Sequence, residues 1–171
     1  TPVFGCQDGF STSHCYEPVE FLSDEVVRTF GGGRTPLYPL LDVDNPVSYG
    51  SFVMSEHYFE IKRTQIEGMN HVPRVYEEVA AELAEITGRE YPMIDCYRSE
   101  DAEYAIVIMS SATGVVKDVV DELRNRGMKV GCVRVRMFRP FPADALRGAL
   151  RGKKGVAVLD RCSSIGGTFP L

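Results

Sequence analysis

The sequence predicts an α/β fold: a three-layer, mostly parallel sheet with flanking helices, preceded by a linker and a long helix. Three observations carry this. Tyr104 to Met109, Val130 to Val135 and Gly155 to Leu159 are short apolar runs, as expected of strands buried on both faces. Between them lie two stretches with apolar residues at helical spacing. Strand, helix, strand, helix, strand at these lengths is a βαβαβ unit, with a parallel sheet and right-handed crossovers.

The N-terminal hundred residues read less like a self-contained domain. Val3 to Cys6 suits a strand, and Asp8-Gly9-Phe10 then turns the chain. Ser23 is a good N-cap for a short helix through Phe30, with Asp24 and Glu25 favouring its dipole. Gly31-Gly32-Gly33 ends it. Residues 34–54, with Pro36, Pro39 and Pro46, form a long irregular connection, of the kind that marks a linker or a functional segment. Helical spacing returns from Glu56 to Thr87. Tyr58, Phe59, Ile61, Ile66 and Met69 supply its first apolar positions, and Val75, Tyr76, Val79, Leu83 and Ile86 the later ones. Pro73 should start, kink or divide that helix, and Gly88 should cap it.

In the C-terminal part, Val115, Val116, Val119, Val120 and Leu123 give one helix its apolar stripe, and Gly127 ends it as a C′ residue. In the next strand Val133 and Val135 share one face, while Cys132, Arg134 and Arg136 share the other. Pro140-Phe141-Pro142 stops the chain, with Pro142 suited to the first helical position. Leu146 and Leu150 form the following helix's apolar face, and Gly152 terminates it.

Composition narrows the functional classes. With 44% apolar and 25% charged residues among 171, the chain is of ordinary globular type. No apolar run approaches the length of a membrane span, and no basic-then-apolar segment opens the chain. It starts on Thr1 rather than Met, which suits a fragment. The five cysteines, at 6, 15, 96, 132 and 162, are too scattered for a zinc or iron–sulfur motif. An odd count without a secretory segment favours reduced thiols and a cytoplasmic location. The net charge of −5 divides unevenly. Residues 1–100 hold 17 Asp and Glu against 7 Lys and Arg, while residues 101–171 hold 7 against 12. No uniformly basic face for nucleic acid results. The two halves either neutralise one another where they pack, or leave the C-terminal half to attract an anionic partner.

The turn Ser110-Ser111-Ala112-Thr113-Gly114 lies where a parallel strand gives way to a helix N-terminus. Free backbone N–H groups there suit an anion, and ligands of open sheets favour such crevices. Arg139, just past a strand end, would point into the same crevice. The rival reading is a small-residue turn that passes close to the sheet. Arg134 and Arg136 suit either a subunit contact or ion pairs with the acidic half. His14 stands between Ser13 and Cys15, but sequence neighbours seldom form a catalytic pair. His57 and His71 have no metal spacing. Asp101 and Asp160 lie near strand ends without evident partners. No complete catalytic constellation and no metal site is expected.

Asp8-Gly9-Phe10, Ser13-His14 and Glu17-Pro18-Val19 resemble the end of the pyrimidine-binding domain in the α subunit of 2-oxoacid:ferredoxin oxidoreductases of the pyruvate synthase type. Tyr97-Arg98-Ser99-Glu100-Asp101-Ala102-Glu103 is similar to the entry into that subunit's second domain. Gly114, Asp121-Glu122-Leu123-Arg124 and Gly127-Met128-Lys129-Val130-Gly131 are similar to its first helix and second strand. Arg139-Pro140-Phe141-Pro142 and Asp160-Arg161 with Gly166 extend the match along the chain. The family has glycine where this chain has Ser110.

The resemblance implies a division into 1–33, the tail of the pyrimidine-binding domain; 34–100, a linker and long helical segment; and 101–171, a transketolase C-terminal-like α/β domain. It implies a structural and assembly role within an enzyme converting pyruvate and CoA to acetyl-CoA and CO2, with ferredoxin or flavodoxin reduced. Thiamine diphosphate, Mg2+ and iron–sulfur clusters then belong to the parent complex, CoA is a co-substrate, and this chain binds none of them. Its partners would be the other subunits or domains of an oligomeric oxidoreductase, with no nucleic acid and no membrane. A stand-alone anion- or nucleotide-binding module, or an interaction module without catalysis, is the alternative.

Overall fold

The computed structural model describes residues 3–16, 18–33, 35–50 and 52–171. Thr1, Pro2, Glu17, Arg34 and Ser51, which enter the segments named above, lie outside the described residues.

Five helices and four strands follow one another: α1 (Phe10–His14), α2 (Asp24–Gly31), α3 (Ser55–Thr87), β1 (Ile94–Tyr97), β2 (Tyr104–Ile108), α4 (Thr113–Asn125), β3 (Val130–Val135), α5 (Ala143–Leu150) and β4 (Gly155–Val158). The strands form one sheet in the order β1-β3-β2-β4. β2 pairs in parallel with both β3 and β4, as the alternating pattern requires. β1, which the periodicity does not disclose, adds antiparallel to the free edge of β3. It lies ahead of residue 101, the start expected for the α/β segment.

Side-chain alternation sorts the two faces. Ile108, Val130 and Cys132 pack with Val116 and Val120 of α4, and Val120 and Cys132 are fully buried. Ala105, Val107, Val133 and Val135 form the other core, against Leu146, Ala149 and Leu150 of α5. Helix, sheet and helix therefore make three layers, and the predicted split between Cys132 and the Val133–Val135 pair is the seam between two cores.

Arg124 fastens the entry to the sheet. Its guanidinium donates to the Arg98 carbonyl at 2.6 Å and the Val130 carbonyl at 2.7 Å, and it meets Asp101 at 2.7 Å. Asp101 thus has the partner its surroundings in sequence do not reveal. Gly127 takes φ +86° just beyond α4, and Gly88 caps α3 at φ +67°.

Four expectations are corrected. Val3 to Cys6 is exposed and forms no strand, because no sheet edge lies beside it to receive its hydrogen bonds. Pro73 neither starts nor divides a helix, since α3 runs continuously from Ser55 to Thr87 through it. One proline removes one ladder bond, and the many turns on either side continue the helix across it. Pro142 is the N-cap of α5 rather than its first residue. Met109 and Leu159 fall just outside β2 and β4, although the Leu159 amide still donates to the Val107 carbonyl at 2.9 Å.

Candidate functional site

The turn at residues 110–114 meets a carboxylate supplied by the chain itself. β2 ends at Ile108, and Ser110 then takes φ +70°, the left-handed geometry that favours glycine. Thr113 opens α4, and its hydroxyl donates back to the Ser110 carbonyl at 2.7 Å. The N-cap, Ala112, has no side chain able to cap the helix.

Asp8 supplies the missing acceptor from 103 residues away. Its Oδ2 accepts the Ser111 amide at 2.8 Å and also the Ser111 hydroxyl. Its Oδ1 lies 3.5 Å from Nη1 of Arg161. The Ser111 hydroxyl and then the Ser111 amide, helped by the Ser110 hydroxyl, hold the Asp8 carboxyl below the usual carboxylate range; Arg161 adds a smaller pull. The N-terminal end of the α4 dipole favours the same negative charge.

Ser110, Ser111, Thr113 and Gly114 thus sit together, but Arg139 does not join them. Its guanidinium lies 3.9 Å from the centre of the Phe138 ring and donates to the Phe138 carbonyl at 2.7 Å. The cation at the crevice is Arg161, which follows β4. β3 and β4 both flank β2 in the sheet, so the difference lies in the side chains: Arg161 reaches Asp8, whereas Arg139 turns to Phe138.

The other singled-out residues have structural partners. Arg136 lies over the Tyr91 ring, donates to the Pro92 carbonyl at 3.1 Å and stands 3.8 Å from Asp95. Asp95 also pairs with Lys117 at 3.3 Å. At Asp95 and Asp8 the acidic and basic halves therefore neutralise each other in contact. The Nε of Arg134 is buried with no hydrogen-bond partner among the described residues. Asp160 accepts the amides of Cys162 and Leu171, both at 2.9 Å, and so folds the last residues back towards Phe141 and Leu146. His14 meets the Ser13 hydroxyl at 2.7 Å and stacks on Phe10, but the pair is exposed and no third group orients it among the described residues.

An open apolar hollow of about 360 Å³ lies beside β4, lined by Tyr104, Ile106, Leu123, Met128 and Val156. It contains no charged or titrating group apart from the Tyr104 hydroxyl. Among the described residues no three His, Cys, Asp or Glu side chains gather as a metal site. All five cysteines are free thiols, with Cys132 sealed in the core. No helix is long and apolar enough to cross a membrane.

Comparison with known proteins agrees in two successive stretches. Residues 1–81 match the family model for the thiamine-diphosphate-binding domain of pyruvate flavodoxin/ferredoxin oxidoreductase, and residues 102–171 match core domain II of pyruvate:ferredoxin oxidoreductase. The chain is 48% identical over 170 residues to pyruvate synthase subunit PorA of Thermotoga maritima, covering 99% of this chain and 43% of that subunit. It is 39% identical over 170 residues to PorA of Methanothermobacter thermautotrophicus, covering 98% of this chain and 44% of the relative. Against the ketoisovalerate oxidoreductase subunit VorA of Pyrococcus horikoshii, identity is 38% over 166 residues, covering 96% and 42%. The chain thus spans less than half the length of these relatives.

Among solved structures, the fold resembles 2-oxoglutarate:ferredoxin oxidoreductase from Magnetococcus marinus. The TM-score is 0.51 at 16% identity, over 70% of this chain and 20% of that one. Both domain matches and these relatives point to one family: the chain belongs to the α subunits of the 2-oxoacid:ferredoxin oxidoreductases.

Proposed function

We propose that this chain is a structural and assembly segment of a thiamine-diphosphate-dependent 2-oxoacid:ferredoxin oxidoreductase. The parent enzyme converts pyruvate and CoA to acetyl-CoA and CO2 and passes the electrons to ferredoxin or flavodoxin. The observation carrying this is the ordered pair of domain matches along a chain 48% identical to a pyruvate synthase subunit. Residues 1–33 are the tail of the pyrimidine-binding domain. Residues 34–100 are a linker and long helix ending in the sheet's edge strand. Residues 101–171 are a transketolase C-terminal-like domain. The assembly is an oligomer and cytoplasmic.

The residues in hand do not fit the diphosphate and magnesium end of that cofactor. No described cluster offers three metal-binding side chains, and the turn ahead of α4 is already bonded to Asp8 through Ser111. Nor does the scattered spacing of the cysteines suit an iron–sulfur cluster. On this reading the cofactor chemistry falls to other parts of the parent enzyme, and these residues hold the frame around it. Asp8 in the crevice also speaks against the anion- or nucleotide-binding alternative.

A chimaera tests the reading. Residues 1–171 replace the matching stretch of the Thermotoga maritima subunit, which is expressed anaerobically with its partner subunits. The complex should assemble and reduce a viologen dye with pyruvate and CoA. A chimaera that folds but fails to recruit the other subunits overturns the proposal.

A further inference from the structure

We propose that Asp8 is an electrostatic latch that holds the N-terminal segment, residues 3–16, on the mouth of the α/β sheet. Hydrophobic burial cannot hold that segment. Phe4 is 95% exposed and Phe10 is 75% exposed, and α1 has neither a buried residue nor a side-chain cap. A polar tie does the holding. Among the described residues, every hydrogen bond and ion pair from 3–16 to the sheet unit belongs to Asp8.

The tie is built from both sides. Asp8's own side chain is only 17% exposed although its neighbours in sequence face solvent. On the receiving side, the Ser111 amide, in the turn just ahead of α4, donates to the Asp8 carboxylate and, among the described residues, to no backbone carbonyl. Arg161 approaches from the end of β4, so two adjacent strands converge on one carboxylate. Ser111 and Arg161 belong to the stretch matched as core domain II, and Asp8 to the stretch matched as thiamine-diphosphate-binding. On the functional reading above, the latch therefore couples two domains of the subunit. The latch itself does not depend on that reading.

Hydrogen–deuterium exchange on the full chain, without substrates or partners, tests it. In Asp8→Ala the Ser111 amide should exchange about tenfold or more faster, as expected when a local tie opens without global unfolding. Limited proteolysis within residues 3–16 should quicken in parallel. Arg161→Gln should give a smaller change in the same direction, and Ser13→Ala none. Protection at Val133 should stay at the parental level, showing that the sheet is intact. Should Asp8→Ala not fold, Asp8→Leu, which keeps the side-chain branching but no acceptor oxygen, carries the test. Exchange at Ser111 within twofold of the parent in the folded variant overturns the latch and leaves the family assignment untouched. A failed chimaera would do the reverse.

Discussion

A Cβ placed on Gly131 would stand 2.8 Å from the Arg98 carbonyl oxygen and 2.9 Å from the Ser99 Cα. β3 and the loop after β1 therefore meet backbone to backbone, with the same Arg98 carbonyl also accepting from Arg124. Neither neighbour is the far end of a flexible side chain, so the clash is relieved only by moving main chain. Gly131→Ala should cost about 1–3 kcal/mol, the usual range for overpacking. Gly68→Ala is the opposite case, since nothing lies within 4 Å of its added Cβ in the middle of α3. That change should gain about 0.5–1 kcal/mol where the helix contributes to the measured transition. Urea titrations of the two variants, side by side, should move the midpoint in opposite directions.

Ser110→Gly should stabilise the protein. A left-handed backbone costs an ordinary residue about 1–2 kcal/mol, partly offset by the greater chain entropy of glycine. A rise in melting temperature is expected, and Ser110→Val should lower it. Equal melting temperatures for parent and both variants would show that the φ of +70° is not strained.

Cys132 makes the stability pH-dependent on the alkaline side. Burial pushes its thiol up to about 11 from 9.0, so the folded chain keeps a proton that the unfolded chain releases earlier. The folded pKa is raised, so this contribution is complete below pH 9 and is lost as pH rises towards 11. At about 1.4 kcal/mol per unit, roughly 2–3 kcal/mol disappears over that window. Cys132→Ala should flatten that part of the profile relative to the parent. At neutral pH a thiol reagent should label Cys6, Cys15, Cys96 and Cys162 in the native chain, and reach Cys132 only on unfolding.

Phe141 packs against the core on the α5 side but is only half-buried. Full burial would make Phe141→Ala cost about 3–5 kcal/mol, so about 2 kcal/mol is expected here. Arg139→Ala removes an exposed cation–π contact worth about 0.5–1 kcal/mol at most. Equilibrium unfolding should rank the two in that order. Calorimetry with CoA should show no binding by the parent chain and none by Arg139→Ala, whose guanidinium is turned to Phe138 in the parent.

The elements legible in the sequence are those whose own residues declare both period and boundary. β2, α4, β3, α5 and β4 all do so, through apolar runs punctuated by Gly127, Pro142 and Gly152. Ser23 discloses α2, and its hydroxyl does accept the Val26 amide at 3.3 Å. β1 is not legible, because Ile94-Asp95-Cys96-Tyr97 is short, carries a charge, and is a strand only by virtue of β3's open edge. α1 is not legible either, since Phe10-Ser11-Thr12-Ser13-His14 has no amphipathic period. At the site, local signals disclose the crevice but not its occupant. The small residues and helix start at 110–114 are contiguous, whereas Asp8 meets Ser111 only through the tertiary fold. Arg139 and Arg161 both lie past the ends of strands flanking β2, and only their side-chain contacts, invisible in one sequence, put Arg161 on Asp8 and Arg139 on Phe138.

The strand order β1-β3-β2-β4 also has a consequence for synthesis. β1 emerges first from the ribosome, yet its partner β3 follows only after β2 and α4. Until then its four residues have no ladder to join. β2, α4 and β3 form the pairing with the shortest intervening chain, so loop closure opposes it least and it is the natural nucleus. β1 then docks backwards onto one edge and β4 forwards onto the other. A nascent chain halted before residue 130 would hold β1, β2 and α4 without the strand that unites them, leaving the pieces to chaperones rather than to one another.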